Sequence, residues 1–173
     1  RRQRQMCIRD RDNIVLCGFM GSGKTVVGKE LAKILGVKFV DIDELIEKEQ
    51  GVAIKAIFAI HGEDYFRDLE HEVCKKIPEM KGVVVSTGGG AMTFERNVEA
   101  VKQGAKIVFL DASFDVICER IGDNTTRPLF QDREKAKKLY NERKEKYLSA
   151  ADFVINGDMG ARKTAMQIAD IFR

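Results

Sequence analysis

The stretch GFMGSGKT, residues 18–25, decides the fold, because it matches the pattern G-x-x-x-x-G-K-[ST] in full. An apolar run precedes it, and a segment with the apolar spacing of a helix follows it. Glycines leave backbone N–H groups free to point at phosphate oxygens, and the N-terminus of the following helix adds its positive dipole end. The stretch therefore predicts a loop that holds nucleotide phosphates, through the contact residues Gly21, Ser22, Gly23, Lys24, Thr25 and Val26.

Two side chains of this loop carry specific chemistry. Lys24 is expected to neutralise the β- and γ-phosphates, and Thr25 to offer its hydroxyl to Mg²⁺. The alternative is a glycine-rich turn that carries Lys-Thr without binding phosphate, and the flanking strand and helix patterns argue against it. The loop predicts ATP and Mg²⁺ as cofactors, but it does not identify the group that receives the phosphate.

Short β-rich runs alternate with helical segments along the chain, which is the pattern of βαβ units around a parallel sheet. It predicts an α/β fold with five strands, at Asn13–Cys17, Val37–Asp41, Gly82–Ser86, Lys106–Leu110 and Phe153–Ile155. The first helix should begin inside the glycine loop and end at Gly36, with one apolar face formed by Val26, Val27, Leu31, Ile34 and Leu35. Further helices are predicted at Glu44–Gln50, Ala53–Ile60, Glu63–Lys76, Phe94–Gln103, Phe114–Ile121, Asp132–Ala150 and Ala161–Phe172.

Two regions interrupt the alternation. About forty residues separate the second and third strands, more than one crossover helix needs, which predicts a helical insert over about residues 42–76. GDNTTRPLF, residues 122–130, has turn residues and no apolar period, and we interpret it as a mobile flap. Residues 13–173 are expected to form one domain, and residues 1–12 a basic tail.

Charge and composition exclude several classes of function. Residues 1–12 hold five arginines and two aspartates, which account for the whole net charge of +3, so the body of the chain is neutral and offers no basic face to nucleic acid. The tail is interpreted as a flexible arm, a cloning remnant or the end of an upstream domain. No stretch is long and apolar enough to span a membrane. The four cysteines are widely spaced, which favours reduced thiols in a cytoplasmic protein, and we expect a monomer.

Carboxylates at two predicted strand ends compete for the metal side of the site. KIVFLD ends in Asp111 after an apolar run, whereas FVDID carries Asp41 and Asp43. In an extended strand end, residues two apart point to the same side, so Asp41 and Asp43 are expected to face one crevice, with one carboxylate for the metal shell and one for the incoming hydroxyl. Asp43 has an equal claim to be the N-cap of the next helix, and Asp111 is also a cap candidate.

Three arginines are candidates for holding the acceptor. Arg67 and Glu70 stand three apart in one helix, where a solvated ion pair is the default interpretation. Arg143 occupies an inward position in the apolar stripe formed by Ala136, Tyr140, Tyr147 and Ala150. An inward arginine usually binds an anion, and with Arg127 of the flap the set favours a small acidic acceptor.

A run of three glycines, Gly88, Gly89 and Gly90, follows the third predicted strand in VVVSTGGG. At the carboxyl end of a parallel strand, such a run lets the backbone approach a ligand closely. A plain flexible connection is the alternative. The two histidines, His61 and His71, have no partnered Ser or Cys pattern, and we assign them no chemistry.

Taken together, the motifs resemble the shikimate kinase family from Asn13 to the C-terminus. The matching pieces are GFMGSGKT (18–25), FVDIDELIE (39–47), IFAIHGEDYFRDLE (57–70), STGGG (86–90), TRPLF (126–130) and RKEKY (143–147). The resemblance implies a three-layer α/β/α fold of the P-loop kinase type, with a five-stranded parallel sheet, a helical substrate-binding insert and a lid. It implies transfer of the γ-phosphoryl group of MgATP to the 3-hydroxyl of shikimate, a step toward aromatic amino acids.

The resemblance also implies roles for individual residues. Asp43 orients the attacking hydroxyl and accepts its proton, Asp41 holds Mg²⁺ through water, and Asp111 has no part. The residues implied to bind shikimate are Asp43, Arg67, Glu70, Gly88, Gly89, Gly90 and Arg143. Arg127 of the lid would act on the transferred phosphoryl group beside Lys24, while Arg120 and Asn156 would border the adenine.

Two other classes of function remain. A gluconate or nucleotide kinase would share the phosphate loop and the flap, but would not need the set formed by Arg67, Gly88–Gly90 and Arg143. A regulatory nucleotide-binding module would have lost at least one catalytic group, and none is missing from the sequence.

Overall fold

A computed structural model describes residues 13–122 and 132–172, which form a single parallel sheet covered by helices. The five strands lie in the order β2-β3-β1-β4-β5, and every neighbouring pair is parallel. The strands are β1 (Asn13–Cys17), β2 (Lys38–Asp41), β3 (Val83–Ser86), β4 (Ala105–Asp111) and β5 (Phe153–Asn156). All five carboxyl ends therefore open on one edge, where ligands of such sheets bind.

In the described part of the chain, eight α-helices and two short 3₁₀ turns connect the strands. The helices are α1 (Lys24–Leu35), α2 (Ile42–Gln50), α3 (Ile54–His61), α4 (Glu63–Lys76), α5 (Glu95–Val101), α6 (Phe114–Ile121), α7 (Arg133–Ala150) and α8 (Ala161–Phe172). The 3₁₀ turns are Ile77–Glu79 and Ala91–Thr93. Helices α2, α3 and α4 lie between β2 and β3, as the long interval between these strands predicted.

Alternating side chains of the strands feed two separate cores, which makes three layers. In β1, Ile14 and Leu16 pack with α1 and α8, whereas Val15 and Cys17 pack on the opposite side with residues of α4, α5 and α7. Both sets are buried, because helices cover both faces of a parallel sheet. The predicted α/β/α fold with five parallel strands is confirmed.

The main differences from the predicted elements lie at helix ends. The end of α1 is as predicted: the helix stops at Leu35, before Gly36, whose φ of 68° lies in the left-handed region that glycine adopts easily. Val26 is 58% exposed, so the predicted apolar face that includes it is wrong at this first-turn position. Helix α2 begins at Ile42, two residues earlier than predicted, because Asp41 caps it. Helix α5 is shorter at both ends than its predicted span.

Two predicted segments, the tail at residues 1–12 and most of the flap at 122–130, lie outside the described residues. In 13–122 and 132–172, no helix is both long enough and apolar enough to cross a membrane. Cys17, Cys74 and Cys118 are free and buried, and burial raises the pKa of the Cys17 and Cys74 thiols to about 12.

Candidate active site

The phosphate loop joins β1 to α1, and its backbone conformation requires glycine at two positions. Gly21 and Gly23 have φ angles of 81° and 95°, in the region where a Cβ causes strain. Nζ of Lys24 lies 2.7 Å from the carbonyl oxygen of Gly18 and 3.1 Å from that of Phe19. The loop thus combines a fixed cation with the N-terminus of α1, which is the electrostatic setting that phosphate requires.

A cleft of about 400 Å³ runs from this loop along the carboxyl edge of the sheet. Its lining comes from the loop and α1, the end of β2, the start of α2, the end of β3 and α6. The lining residues are Met20, Gly21, Gly23, Lys24, Thr25, Val26, Asp41, Asp43, Ser86, Thr87, Gly88, Gly89 and Arg120. Met20, Ser86 and Thr87 were not predicted from the sequence.

Asp41 and Asp43 both line the cleft, but their local geometry differs from the prediction. Oδ1 of Asp41 accepts a hydrogen bond from the backbone N–H of Glu44 at 3.2 Å, so Asp41 is the N-cap of α2. The alternative that Asp43 is the cap is wrong. Asp43 stands in the first turn of α2 and not in an extended strand end, because β2 stops pairing with β3 at Asp41. The second oxygen of Asp41 is not part of the cap.

The side chain of Asp43 is therefore not used to cap α2. Among the described residues, its Oδ1 is a buried atom with no hydrogen-bond partner. Burial raises the pKa of Asp43, and the nearby charge of Asp41 raises it further, while Lys24 and Arg67 lower it. A buried carboxylate oxygen without a donor is free to accept the proton of an incoming hydroxyl.

Arg67 and Glu70 form a buried pair on α4, so the default interpretation as a solvated surface pair is wrong. Nη1 of Arg67 lies 3.1 Å from Oε1 of Glu70, whose side chain is 0% exposed. The guanidinium carbon of Arg67 lies over two aromatic rings, 5.4 Å from the centroid of Phe66 and 5.1 Å from that of Phe94. Burial raises the pKa of Glu70 to about 7, although Arg67 opposes this shift. Neither aromatic partner was predicted from the sequence.

The glycine run after β3 brings the predicted acceptor groups together. A Cβ at Gly88 would lie 3.0 Å from Oδ1 of Asp43, and one at Gly90 would lie 2.7 Å from both Nη atoms of Arg67. A Cβ at Gly89 would lie 3.3 Å from Nη1 of Arg143. Each glycine thus lies against a different charged side chain, so close approach and not flexibility explains the run.

Helix α7 delivers Arg143 to this segment. Ala136, Tyr140, Tyr147 and Ala150 are buried along one face, and Arg143 is only partly exposed on the same face, as predicted. Its guanidinium lies 6.0 Å from the ring centroid of Phe19 in the phosphate loop. Arg143 therefore reaches from α7 to the junction of the loop and the glycine run.

Arg120 and Asn156 were both predicted to border the adenine, and the structure places them differently. Arg120 lines the cleft and donates to the carbonyl oxygens of Ser22 at 3.2 Å and Gly157 at 2.7 Å. Asn156 ends β5, and its Oδ1 accepts from the backbone N–H of Asp158 at 2.8 Å. Asn156 lines a neighbouring cleft instead of the one around the phosphate loop.

Asp111, the competing strand-end carboxylate, also lies in that neighbouring cleft. Its Oδ1 is 3.4 Å from Nζ of Lys144, and the next helix is capped by Ser113, whose Oγ accepts from Val116 N–H at 3.3 Å. Asp111 is therefore not the cap of α6, and it does not line the cleft around the phosphate loop. The role of Arg127, in the flap, lies outside the described residues.

Comparisons with known proteins agree with this geometry. A sequence model of the family described as shikimate kinase matches residues 20–172. A shikimate kinase of Sulfurihydrogenibium sp. is 46% identical over 159 residues, covering 91% of this chain and 93% of the relative. The solved structure of shikimate kinase from Acinetobacter baumannii in complex with shikimate is 36% identical, with a TM-score of 0.87, over 95% of this chain and 94% of that one.

A gluconokinase from Sinorhizobium meliloti is similar in fold alone. It has a TM-score of 0.55 at 17% identity, over 94% of this chain and 96% of that one. The fold is thus shared with that gluconokinase.

Proposed function

This chain belongs to the shikimate kinase family, whose reaction is the ATP-dependent phosphorylation of shikimate, and we propose how its residues carry that reaction. The cleft transfers the γ-phosphoryl group of ATP to the 3-hydroxyl of shikimate, giving shikimate 3-phosphate and ADP. One observation carries the assignment of residues: Asp43, Arg143 and Arg67 lie against three consecutive glycines at the edge of the phosphate loop.

The donor side is assigned to the loop between β1 and α1. Backbone N–H groups around Gly21 and Gly23 and the ammonium of Lys24 surround the phosphates. Arg120 links the phosphate loop to the segment after β5, since it donates hydrogen bonds to the carbonyl oxygens of both Ser22 and Gly157. Val26 and Thr25 complete the lining near the start of α1.

The residues present fit a magnesium ion bound together with ATP. Thr25 offers a hydroxyl, and Asp41 keeps one carboxylate oxygen outside its capping bond, both in the same cleft. Mg²⁺ bound there would neutralise phosphate charge and favour the leaving of ADP. Asp41 would hold the ion through its water shell, because Mg²⁺ usually keeps several of its waters.

The acceptor side of the cleft is assigned to the charged side chains that lie against Gly88, Gly89 and Gly90. Asp43 accepts the proton of the 3-hydroxyl at its unpartnered Oδ1, which orients the oxygen toward the γ-phosphate. Arg67 and Arg143 hold the carboxylate of shikimate, because planar guanidinium groups match carboxylate geometry. Glu70 positions Arg67 through their ion pair, and the rings of Phe66 and Phe94 pack against the Arg67 guanidinium.

Other parts of the proposal concern the flap and the state of the protein. Arg127 acts on the transferred phosphoryl group, and Asn156 borders the adenine with Arg120, which bonds the carbonyl oxygen of the adjacent Gly157. A monomer is supported because one chain supplies both halves of the cleft. A cytoplasmic location is supported by the three buried free thiols, and independence from nucleic acid by the neutral body of the chain.

The decisive experiment measures ADP release with shikimate, gluconate and a nucleoside monophosphate as alternative acceptors. We expect turnover with shikimate that exceeds the other two by orders of magnitude in kcat/KM, because only an acceptor with a carboxylate and a ring hydroxyl in fixed relation engages both arginines and Asp43. Comparable turnover with gluconate would contradict the assignment.

A further inference from the structure

Tyr147 lies one helical turn beyond Arg143 and has no role in the proposed reaction so far. Its side chain is 1% exposed, and its ring packs on Phe109 with centroids 5.2 Å apart. The hydroxyl donates a hydrogen bond to the carbonyl oxygen of Gly89, in the middle of the glycine run. A buried tyrosine of α7 therefore holds the backbone segment that contacts three charged groups of the site.

The same hydroxyl is next to the guanidinium of Arg143. A Cβ at Gly89 would lie 3.3 Å from Nη1 of Arg143 and 4.0 Å from Oη of Tyr147, so both tips converge on one glycine. Burial raises the pKa of Tyr147 well above its usual value, and the positive charge of Arg143 opposes the shift. The phenol thus stays protonated and donates to Gly89, with the Arg143 guanidinium close to the same glycine.

The bond to Gly89 also determines where the next backbone N–H points. A trans peptide is planar, with its C=O and N–H on opposite sides, and the described residues contain no cis bond. Since the carbonyl of Gly89 points to Tyr147, the N–H of Gly90 points away from α7. The flanking carbonyls are held as well, because Gly90 O accepts from Thr93 Oγ1 at 2.6 Å and Gly88 O from Ala91 N at 3.2 Å.

We propose that Tyr147 is a positioning residue for the acceptor: its hydroxyl fixes both the Gly89–Gly90 peptide and the Arg143 guanidinium in the arrangement that binds the shikimate carboxylate. The proposal rests on the proposed function. Tyr147 acts through these two groups and does not touch the reacting atoms. Its loss therefore affects shikimate binding, while the phosphate loop and its contacts with ATP stay intact.

The test uses Tyr147→Phe, which removes the hydroxyl and keeps the ring on Phe109. We expect the KM for shikimate to rise about fivefold, the usual effect of losing one hydrogen bond. The KM for ATP should stay within about twofold of the wild-type value, and calorimetric titration of shikimate should show the same fivefold loss of affinity. An unchanged KM for shikimate, or equal rises for both substrates, would overturn the proposal.

Tyr140→Phe is the matched control. Tyr140 is also buried on α7, and its hydroxyl also donates to a backbone carbonyl, that of Ala112 at 2.7 Å, away from the cleft. Both variants lose one buried hydrogen bond, so we expect similar falls in Tm. Only Tyr147→Phe should alter the KM for shikimate, and an equal rise in Tyr140→Phe would reduce Tyr147 to a general stabilising role.

A measurement on the wild-type protein needs no variant. In ¹⁵N-labelled protein, adding shikimate should shift the amide signals of Gly89 and Gly90 more than that of Gly36, which lies at the opposite end of α1 from the phosphate loop. Unmoved glycine signals in a protein that turns over shikimate would refute the positioning role. Absence of turnover with shikimate would instead refute the proposed function, so the two failures are distinct.

Discussion

The two halves of the cleft are built in opposite ways. The phosphate loop takes its groups from one continuous stretch, residues 18–26, between a strand and a helix. The acceptor half takes its groups from α2, α4, the end of β3 and α7, which are separated by up to a hundred residues. A local motif thus holds the donor, whereas the tertiary fold alone assembles the acceptor pocket.

The difference teaches where specificity for the acceptor lies. A continuous loop can move between folds as one unit, and it serves kinases with different acceptors. A pocket assembled from four elements depends on each element's packing, so its geometry can change without any change in the loop. Substitutions should therefore affect the two substrates separately, and the predictions below test this separation in order of decreasing effect.

The largest effect is expected where the halves meet, at Asp43. Asp43→Asn should lower kcat about 100-fold or more, because the amide cannot accept the proton of the hydroxyl. The KM for ATP should change less than about threefold, since the loop is untouched. Steady-state kinetics with both substrates check this. Asp111→Asn, at the carboxyl end of β4, is the control and should retain wild-type kcat. Near-normal turnover in Asp43→Asn would refute the role of Asp43.

Crowding the glycine run should damage only the acceptor half. In Gly90→Ala, the new methyl group would lie 2.7 Å from the Arg67 guanidinium, and the φ of −96° accepts alanine without strain. The flexible guanidinium should move, raising the KM for shikimate about tenfold or more while Tm and the KM for ATP remain near wild type.

Gly160→Ala is the control for this substitution, because no atom lies within 4 Å of its added methyl group. Its KM for shikimate should be that of the wild type. A matching rise in the KM for ATP in Gly90→Ala would show that the two halves are not separable.

The buried carboxyl of Glu70 should make the free energy of unfolding depend on pH. Burial raises its pKa from 4.5 to about 7 in the folded protein, so the folded state binds the proton more tightly than the unfolded state. The free energy of unfolding should then fall as pH rises from about 4.5 to about 7, and stay lower above that range. The loss should be at least about tenfold in the folding equilibrium, one pKa unit being about 1.4 kcal/mol.

Urea denaturation between pH 5 and 8 measures this slope. Glu70→Gln removes the titrating proton, so its free energy of unfolding should decline less over this range than that of the wild type. Glu72→Gln, an exposed position on the same helix, should keep the wild-type decline. Parallel slopes for Glu70→Gln and the wild type would contradict the buried titration.

The smallest effect is expected on the donor side. Arg120→Met removes the hydrogen bonds to the carbonyl oxygens of Ser22 and Gly157, while the apolar length of the side chain is kept. The KM for ATP should rise about fivefold and the KM for shikimate should not change. Initial-rate measurements that vary each substrate in turn decide the outcome, and a change confined to shikimate would reverse the assignment of the two halves.

The same contrast explains how much could be predicted from the sequence. The phosphate loop and the five strands follow from local patterns, since a loop motif and apolar runs carry their own evidence. The identity of the cap of α2 does not, because it depends on where β2 stops pairing with β3, at Asp41 opposite Ser86. The sequence offered Asp43 as a cap candidate, whereas the structure uses Asp41.

The burial of the acceptor-binding side chains also could not be predicted from local sequence patterns. Arg67 and Glu70 have the spacing of an ordinary surface pair, and only the packing of α4 against other elements buries Glu70 completely. Phe94 belongs to another segment, so no spacing rule links it to Arg67. Tyr147 did leave a signal, four residues after Arg143 in the inward stripe, but its bond to Gly89 depends on the tertiary fold.

Gly89 borders both halves, and this has a thermodynamic consequence. A Cβ there would lie 3.8 Å from the backbone nitrogen of Met20 in the phosphate loop, as well as 3.3 Å from Arg143. A ligand in either half would therefore lie next to the same peptide, which gives the two binding equilibria a shared contact. Linkage then requires reciprocity: whatever factor ATP adds to the affinity for shikimate, shikimate returns to the affinity for ATP.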